Sequence, residues 1–201
     1  MLKAIIFDLR ETIGTKNIWI SKTLSNHFNI ENTPDFLEKY EKAIQLKKFD
    51  DETELSKSFL EIFQLEQSED NILFVKNLLQ SWIEKASLFK GMPELLKKLS
   101  KSYKLGVLSN TTCFESKVLE NFKIKQFFEC QAFSRELGTI KPDFNNFYTI
   151  CQKLNIQWSE GIFIDDWEKN VKAAKEFWLQ AIQFKSVEIL KEELTKFGIK
   201  I

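Results

Sequence analysis

The hydrophobic pattern of the chain alternates between short apolar runs and segments with helical spacing. Each apolar run has the length of a strand that is covered on both faces. The segments between them repeat apolar residues every three or four positions, which is typical of amphipathic helices. Because strands that alternate with helices form parallel sheets, the pattern predicts an α/β fold with a central parallel sheet flanked by helices. The apolar runs lie at 2–7, 104–110, 127–133, 161–166 and 179–184, with helical segments at 112–122, 143–154, 168–178 and 187–197.

A long region between the first two apolar runs has helical spacing only. Residues 17–88 therefore predict an inserted all-helical domain of four helices, and the α/β core comprises residues 1–16 and 89–201. Thr33 and Asp51 are residue types that begin helices, because their side chains accept hydrogen bonds from the first free amides. The apolar positions that repeat at helical spacing are Ile20, Leu24 and Phe28, then Phe36, Tyr40 and Ile44, then Leu55, Phe59 and Phe63.

Composition excludes several classes of function. Lys plus Arg and Asp plus Glu are equal at 29 each among 201 residues, so the net charge is zero and offers no electrostatic footprint for nucleic acid. No apolar run approaches the roughly 20 residues that cross a bilayer, and the first residues do not resemble a signal peptide. The three cysteines, Cys113, Cys130 and Cys151, lack the spacing of a disulfide framework or a zinc site. We expect a cytoplasmic protein without a nucleic-acid or membrane partner, and the sequence leaves its oligomeric state open.

Polar residues gather where the predicted strands end. In open α/β sheets this edge binds ligands. A carboxylate there can attack phosphorus, other carboxylates can hold Mg²⁺, and a lysine and a hydroxyl can neutralise the transferring group. Each residue alone also fits a turn or a helix cap, but their combination in this order favours phosphoryl transfer. They are Asp8 and Thr12 after the first strand, Ser109 and Asn110 after the second, Lys141 after the third, and Asp165, Asp166 and Asn170 after the fourth.

Four ordered motifs carry a family resemblance. They read IIFDLRETI, KLGVLSNTT, GTIKPD and GIFIDDWEKNV. With them the chain resembles the haloacid dehalogenase (HAD) superfamily of hydrolases. It is most similar to the phosphatase-like branch that carries a helical cap after the first motif, such as the N-terminal phosphatase domain of soluble epoxide hydrolases. The resemblance covers essentially the whole chain and implies a HAD-like Rossmannoid core plus an inserted helical cap.

The resemblance also implies how a phosphorylated small molecule is handled. Asp8 would be the nucleophile that forms an aspartyl-phosphate. Ser109 would bind the phosphoryl oxygens, with Asn110 beside it in the substrate site. Lys141 would steady both the nucleophile and the phosphate, and Thr12 matches the threonine of the first motif.

A Mg²⁺ site is implied in the same way. Asp166 would be the main ligand, Asp165 would support it, and Asn170 stands at the end of the same motif. Asp8 would contribute its carboxylate. In the family, the residue that corresponds to Arg10 contributes its backbone carbonyl to the metal. Arg10 still has that carbonyl, but the positive charge of its side chain weakens the metal site.

Arg10 departs from the family pattern, because the phosphatases carry an aspartate there that acts as general acid and then as general base. Arginine stays protonated and cannot exchange that proton, and general acid–base help is worth about 10²–10⁴-fold in rate. Glu11 also replaces the family's glycine, so the turn after the first strand can differ.

Three hypotheses account for Arg10. In the first, it points outward or toward a substrate anion, and Glu11 or water supplies the proton of a phosphatase. In the second, the chain is a dehalogenase-type hydrolase, since such relatives lack the second aspartate; they usually work without Mg²⁺, so the Asp165–Asp166 pair counts against this. In the third, Arg10 folds onto Asp8 and Asp166, and the protein is a catalytically silent binding or structural protein.

Overall fold

A central parallel sheet organises the molecule. The structure, a computed structural model, describes residues 1–15, 19–112 and 114–201. Cys113 and the predicted domain boundary between residues 16 and 17 lie outside the described residues. The strands are β1 (Ala4–Phe7), β2 (Gly14–Thr15), β3 (Ser87–Leu88), β4 (Lys104–Ser109), β5 (Cys130–Phe133), β6 (Gly161–Asp165) and β7 (Gln180–Gln183).

Strand β1 lies in the middle of this sheet, whose order is β5-β4-β1-β6-β7. Ile5 pairs with Leu105 of β4 on one side and with Ile162 of β6 on the other, and both pairings are parallel. All residues of β1 are fully buried, as expected for a strand covered on both faces. Since parallel strands end at the same edge, the residues after β1, β4 and β6 meet there. The predicted fold class is confirmed.

Helices cover both faces of the sheet. The helices are α1 (Ile20–His27), α2 (Pro34–Gln45), α3 (Glu52–Ile62), α4 (Glu69–Lys85), α5 (Met92–Leu99), α6 (Val118–Asn121), α7 (Ser134–Leu137), α8 (Phe144–Leu154), α9 (Glu168–Glu176) and α10 (Val187–Lys196). On one face of the sheet α5 and α10 pack against Ile5 and Phe7, and on the other face α8 and α9 pack against Ile6 and Phe163. Among helices of the described residues, none combines the length and apolar character that crossing a membrane requires.

Helices α1–α4 form a helical insert with a hydrophobic core of its own. The Thr33 side chain caps α2 by accepting from the amide of Phe36, and the Asp51 side chain caps α3, as the sequence predicts. Phe114 and Val118, which follow β4, join the core of the insert. The insert is therefore packed onto the sheet part of the molecule through shared apolar contacts.

A two-stranded ribbon marks the place where the chain leaves and re-enters the sheet part. Gly14 of β2 pairs with Leu88 of β3, and Thr15 pairs with Ser87. A Cβ atom at Gly14 would lie 2.8 Å from the carbonyl oxygen of Ser87, so the close approach of the two strands requires glycine. The division into two domains stays a prediction.

The helix predicted over residues 112–122 is wrong in its extent. A 3-10 turn at Glu115–Lys117 precedes the short α6. The carboxylate of Glu115 accepts from the amide of Thr112 at 2.9 Å and from the hydroxyl of Thr111 at 3.1 Å. Side-chain bonds of this kind compete with helical backbone bonds, which delays the helix. Likewise, β5 begins only at Cys130, because Lys125–Phe127 form another 3-10 turn.

Candidate active site

The polar edge of the sheet opens into a cavity of about 320 Å³ between the sheet and the helical insert. Asp8 directly follows β1, and its amide donates to the carbonyl of Ile164 at 2.8 Å. Asp165 ends β6, and Asp166 is the next residue. A larger, more open depression lies beside β5, lined by residues such as Lys125 and Gln131. We assign the site to the cavity, because it gathers the carboxylates.

A buried lysine joins two of these carboxylates. Nζ of Lys141 lies 2.6 Å from Oδ1 of Asp8 and 2.6 Å from Oδ2 of Asp165. Burial by itself lowers the pKa of a lysine, but Asp165 and Asp8 outweigh that effect and raise the pKa of Lys141. The ammonium group is therefore held charged between the two carboxylates, where its hydrogen bonds fix the position of the Asp8 oxygen.

Asp165 is fixed by donors on every side. Its carboxylate accepts from the amide of Trp167 at 2.8 Å and from Nδ2 of Asn170 at 3.0 and 3.2 Å. Burial is the main cause of the raised pKa of Asp165, and Lys141 opposes it. Asn170 thus belongs to the same cluster, and the hydrogen bonds from Asn170 and Trp167 fix the orientation of the Asp165 carboxylate.

Asp166 carries the least compensated carboxylate of the cluster. Burial, followed by the charges of Asp8 and Asp165, raises the pKa of Asp166 to about 7. Carboxylate oxygens of the three aspartates lie within 4.8 Å of one another. A set of converging oxygen ligands with excess negative charge is the chemistry that a hard cation such as Mg²⁺ prefers, so these residues fit the metal that the sequence predicts.

Thr12, Ser109 and Asn110 adjoin this cluster in different ways. The hydroxyl of Thr12 accepts from the amide of Asp166 at 3.1 Å, which joins the loops after β1 and β6. The side chain of Asn110 accepts from the amide of Lys141 at 2.7 Å and donates to its carbonyl at 3.3 Å, so Asn110 positions the lysine. Oγ of Ser109 is buried and has no hydrogen-bond partner in the described part of the chain. Their roles toward substrate stay predictions.

The chain matches the model of the haloacid dehalogenase-like hydrolase family over residues 5–184. The chain belongs to this family. The match covers the sheet, the helical insert and all four motifs, so the predicted family is confirmed.

Individual relatives of the family are distant. The chain is 26% identical over 116 residues to flavin mononucleotide hydrolase 1 of Arabidopsis thaliana, a match that spans 57% of this chain and 47% of that protein. This match therefore covers about half of that relative's length.

Solved structures share the fold at low identity. A HAD family enzyme from Bacteroides thetaiotaomicron, solved as a mutant with magnesium and inorganic phosphate, superposes with a TM-score of 0.67 at 23% identity, covering 93% of this chain and 96% of the other. L-2-haloacid dehalogenase from Xanthobacter autotrophicus, with chloropropionic acid covalently bound, gives a TM-score of 0.62 at 16% identity, covering 100% and 85%. Both comparisons establish the HAD-like fold.

Arg10, two residues after Asp8, is turned toward Glu115. Nη1 of Arg10 lies 3.5 Å from Oε1 of Glu115, and the side chains are 17% and 1% exposed. The guanidinium also lies 5.8 Å from the centre of the Trp82 ring. Burial opposes the charge of Arg10, but Glu115, then Tyr40 and Asp8, raise its pKa above the ordinary value. Arg10 therefore stays a cation.

This geometry corrects two expectations about Arg10. The side chain does not point outward, because it is largely buried. Arg10 does line the cavity, so the alternative that it faces a substrate anion stays a prediction. It does not fold onto Asp8 and Asp166 either: in the described residues its ion pair is with Glu115, and the cation that bridges Asp8 and Asp165 is Lys141.

Several residues of the HAD-like site were not found from the sequence. Leu37, Tyr40 and Glu41 of α2 line the cavity, and no local pattern indicates this, because it depends on how the insert packs on the sheet. Glu115 did carry a signal: Thr112-x-x-Glu115 is a capping-box pattern. The amide of Glu115 donates to the Thr112 hydroxyl at 3.1 Å, which completes the reciprocal bonds of that motif.

Proposed function

We propose that the protein hydrolyses a small phosphomonoester through an aspartyl-phosphate on Asp8. The observation that carries the proposal is the position of the Lys141 ammonium group, 2.6 Å from both Asp8 and Asp165, beside the carboxylate of Asp166. A carboxylate held by a fixed cation is oriented for attack on phosphorus, and the same cation faces the charge that develops on the phosphoryl oxygens.

The chain's own residues divide the work as follows. A carboxylate oxygen of Asp8 bonds to phosphorus, the bond from phosphorus to the leaving oxygen breaks, and that oxygen departs as the alcohol after it gains a proton. Lys141 holds the Asp8 carboxylate in place during this step. Asn110 keeps Lys141 in position, and the buried hydroxyl of Ser109 is available to donate to a phosphoryl oxygen. Water then attacks the phosphorus of the aspartyl-phosphate, which releases inorganic phosphate and restores the Asp8 carboxylate.

Mg²⁺ is the proposed cofactor. Asp8, Asp165, Asp166 and the backbone carbonyl of Arg10 would hold it, and it would neutralise charge on the phosphoryl group. Three carboxylates that converge within 4.8 Å support this assignment, as do the magnesium and phosphate in the Bacteroides relative's structure. Lys141 already neutralises part of the cluster, so we expect weaker metal binding than three free carboxylates would give.

The substrate is proposed to be organic, because apolar side chains line one wall of the cavity. Trp19, Leu37 and Trp167 face it together with Tyr40. We propose that the helical insert, predicted as residues 17–88, acts as a cap that selects the substrate. The Arabidopsis relative is named as a flavin mononucleotide hydrolase, and this is consistent with a phosphomonoester that carries a ring system. A cytoplasmic location is proposed as well.

Phosphate release from a panel of phosphomonoesters tests the proposal. Native protein and Asp8→Asn are compared, each with Mg²⁺ and with a chelator. We expect native protein to release phosphate with Mg²⁺ and to lose this activity with the chelator, and we expect Asp8→Asn to release none. Equal phosphate release by native protein and Asp8→Asn contradicts the nucleophile, and no release by either favours the catalytically silent hypothesis.

A dehalogenase-type reaction is the second candidate. The Lys141–Asp8 ion pair orients the nucleophile without a metal, which is what attack on carbon would need. Chloride release from 2-chloropropionate by native protein, but not by Asp8→Asn, would favour this candidate over the phosphatase.

A further inference from the structure

The proposed phosphatase reaction needs a proton donor that Arg10 cannot be. The leaving-group oxygen must gain a proton when its bond to phosphorus breaks, and the attacking water must later lose one. A guanidinium stays protonated, and Arg10 is engaged with Glu115 at 3.5 Å. The proton must therefore come from another group that lines the cavity or from water.

Most carboxyl groups of the described cavity wall already have another role in the proposed reaction. Asp8 is the nucleophile and, with Asp165, is bound to Lys141. Asp166 belongs to the metal cluster. Two glutamates remain, Glu11 on the turn after β1 and Glu41 on α2.

The two glutamates differ in how they are held. Glu11 has a left-handed backbone with φ of 55°, and its amide donates to the carbonyl of Gly14 within the turn. Glu41 reaches the cavity from the helical insert, on the same face of α2 as Leu37 and Tyr40, since positions three and four apart share a helix face. In the proposed reaction the phosphoryl group would lie against Asp8 and Lys141 on the sheet side, so the leaving oxygen would lie toward the insert, where Glu41 lines the cavity.

We propose that Glu41 is the general acid and then the general base of the reaction; this inference rests on the proposed phosphatase function. Glu41 takes the role of the aspartate that the phosphatases of the family carry where this chain has Arg10. In the first step the Asp8 oxygen bonds to phosphorus, the bond from phosphorus to the leaving oxygen breaks, and the proton of Glu41 passes to that oxygen. In the second step the Glu41 carboxylate takes a proton from water. The water oxygen bonds to phosphorus, and the bond from phosphorus to Asp8 breaks.

The surroundings of Glu41 suit a group that both gives and takes a proton. Burial raises the pKa of Glu41 above its ordinary value. The positive charge of Arg10, a hydrogen bond from Asn110, and the positive charges of Lys141 and Lys169 oppose that rise. The carboxyl group thus keeps its proton to higher pH than an exposed glutamate, yet nearby cations stabilise it once ionised. The other charged groups that face the same cavity are Asp8, Glu11, Asp165 and Asp166.

Leaving-group dependence tests this role directly. Glu41→Gln is compared with native protein on an alkyl phosphate, whose leaving group needs the proton, and on p-nitrophenyl phosphate, whose leaving group does not. We expect kcat/KM, which reports the first step, to fall by about 10²–10⁴-fold on the alkyl ester and by less than about tenfold on the aryl ester. On both esters kcat should fall, because hydrolysis of the aspartyl-phosphate is common to both and needs Glu41 as the base. The decline of native kcat/KM at high pH, caused by ionisation of Glu41, should also disappear.

Matched variants keep the outcome interpretable. Glu38→Gln lies on the same helix, where Glu38 is exposed and pairs with Lys42 at 2.6 Å, and should leave both rates unchanged. Equal losses of kcat/KM on both esters, an unchanged kcat/KM on the alkyl ester, or the expected contrast appearing in Glu11→Gln instead would each overturn the role of Glu41. If native protein does not exceed Asp8→Asn on either ester, the proposed phosphatase function itself fails, and that comparison does not involve Glu41.

Discussion

Replacing Lys141 by methionine removes the cation between two buried carboxylates and keeps most of the side-chain volume. In the native protein Nζ lies 2.6 Å from Asp8 and 2.6 Å from Asp165, and all three side chains are buried. Breaking a buried ion pair by removing one partner costs about 3–5 kcal/mol. For a chain of this size that corresponds to a fall in Tm of about 6–20 °C.

The loss should depend on pH. Without the ammonium group nothing offsets the burial that already raises the pKa of Asp165, so the folded pKa of Asp165 lies further above that of the unfolded chain. The folded variant then binds protons that the unfolded chain has lost, and its stability falls as pH rises above about 4. The deficit of Lys141→Met relative to native protein is therefore largest at neutral pH and smallest near pH 4.

Chemical denaturation followed by circular dichroism at pH 4, 6 and 8 measures this difference without Mg²⁺. Lys172→Met is the control, since Lys172 forms an exposed pair with Glu168, and such pairs contribute about 0–1 kcal/mol. A loss below about 1 kcal/mol at pH 8, or a loss independent of pH, would refute the assignment of Lys141 as the charge that compensates the two aspartates.

Three further predictions concern single side chains. In metal-free protein, Asp166→Asn should stabilise the fold by about 1–2 kcal/mol at pH 8 and have no effect near pH 4. The reason is that the pKa of Asp166 is raised to about 7 in the folded protein, so the native fold loses stability as pH rises from 4 to 8. Denaturation curves at both pH values check this. Trp178→Gly should raise stability by about 0.5–1 kcal/mol, since Trp178 is 79% exposed and has φ of 61°, a backbone region that glycine adopts freely; an unchanged or lower Tm would contradict it. Arg10→Met and Glu115→Gln should each destabilise the protein by about 1–3 kcal/mol, and the double variant by clearly less than their sum; additive losses in this cycle would show that the two side chains are not coupled.

The sheet and the order of its polar ends could be predicted because both depend on local signals. The apolar runs at 2–7 and 161–166 are continuous, so they mark strands with two covered faces. Parallel strands then place Asp8, Asp165 and Asp166 at one edge without further information. The left-handed backbone at Trp178, with φ of 61°, is apparent only in the folded chain.

Contacts between distant segments could not be predicted. Glu115 is 105 positions from Arg10 in the chain, and nothing near Arg10 indicates this partner. Glu41 reaches the cavity only because α2 packs over the sheet edge. The direction of a long charged side chain depends on which buried charges attract it, and those charges lie near it only in the folded protein.

Trapping the covalent intermediate tests the central claim most directly. Native protein and Asp8→Asn are mixed with Mg²⁺ and the best substrate of the panel, quenched in acid within one turnover, and digested for mass spectrometry. We expect one added phosphoryl group on the peptide that contains Asp8 in native protein, and none in Asp8→Asn. Phosphate release by native protein without a phosphorylated Asp8 would contradict the aspartyl-phosphate mechanism.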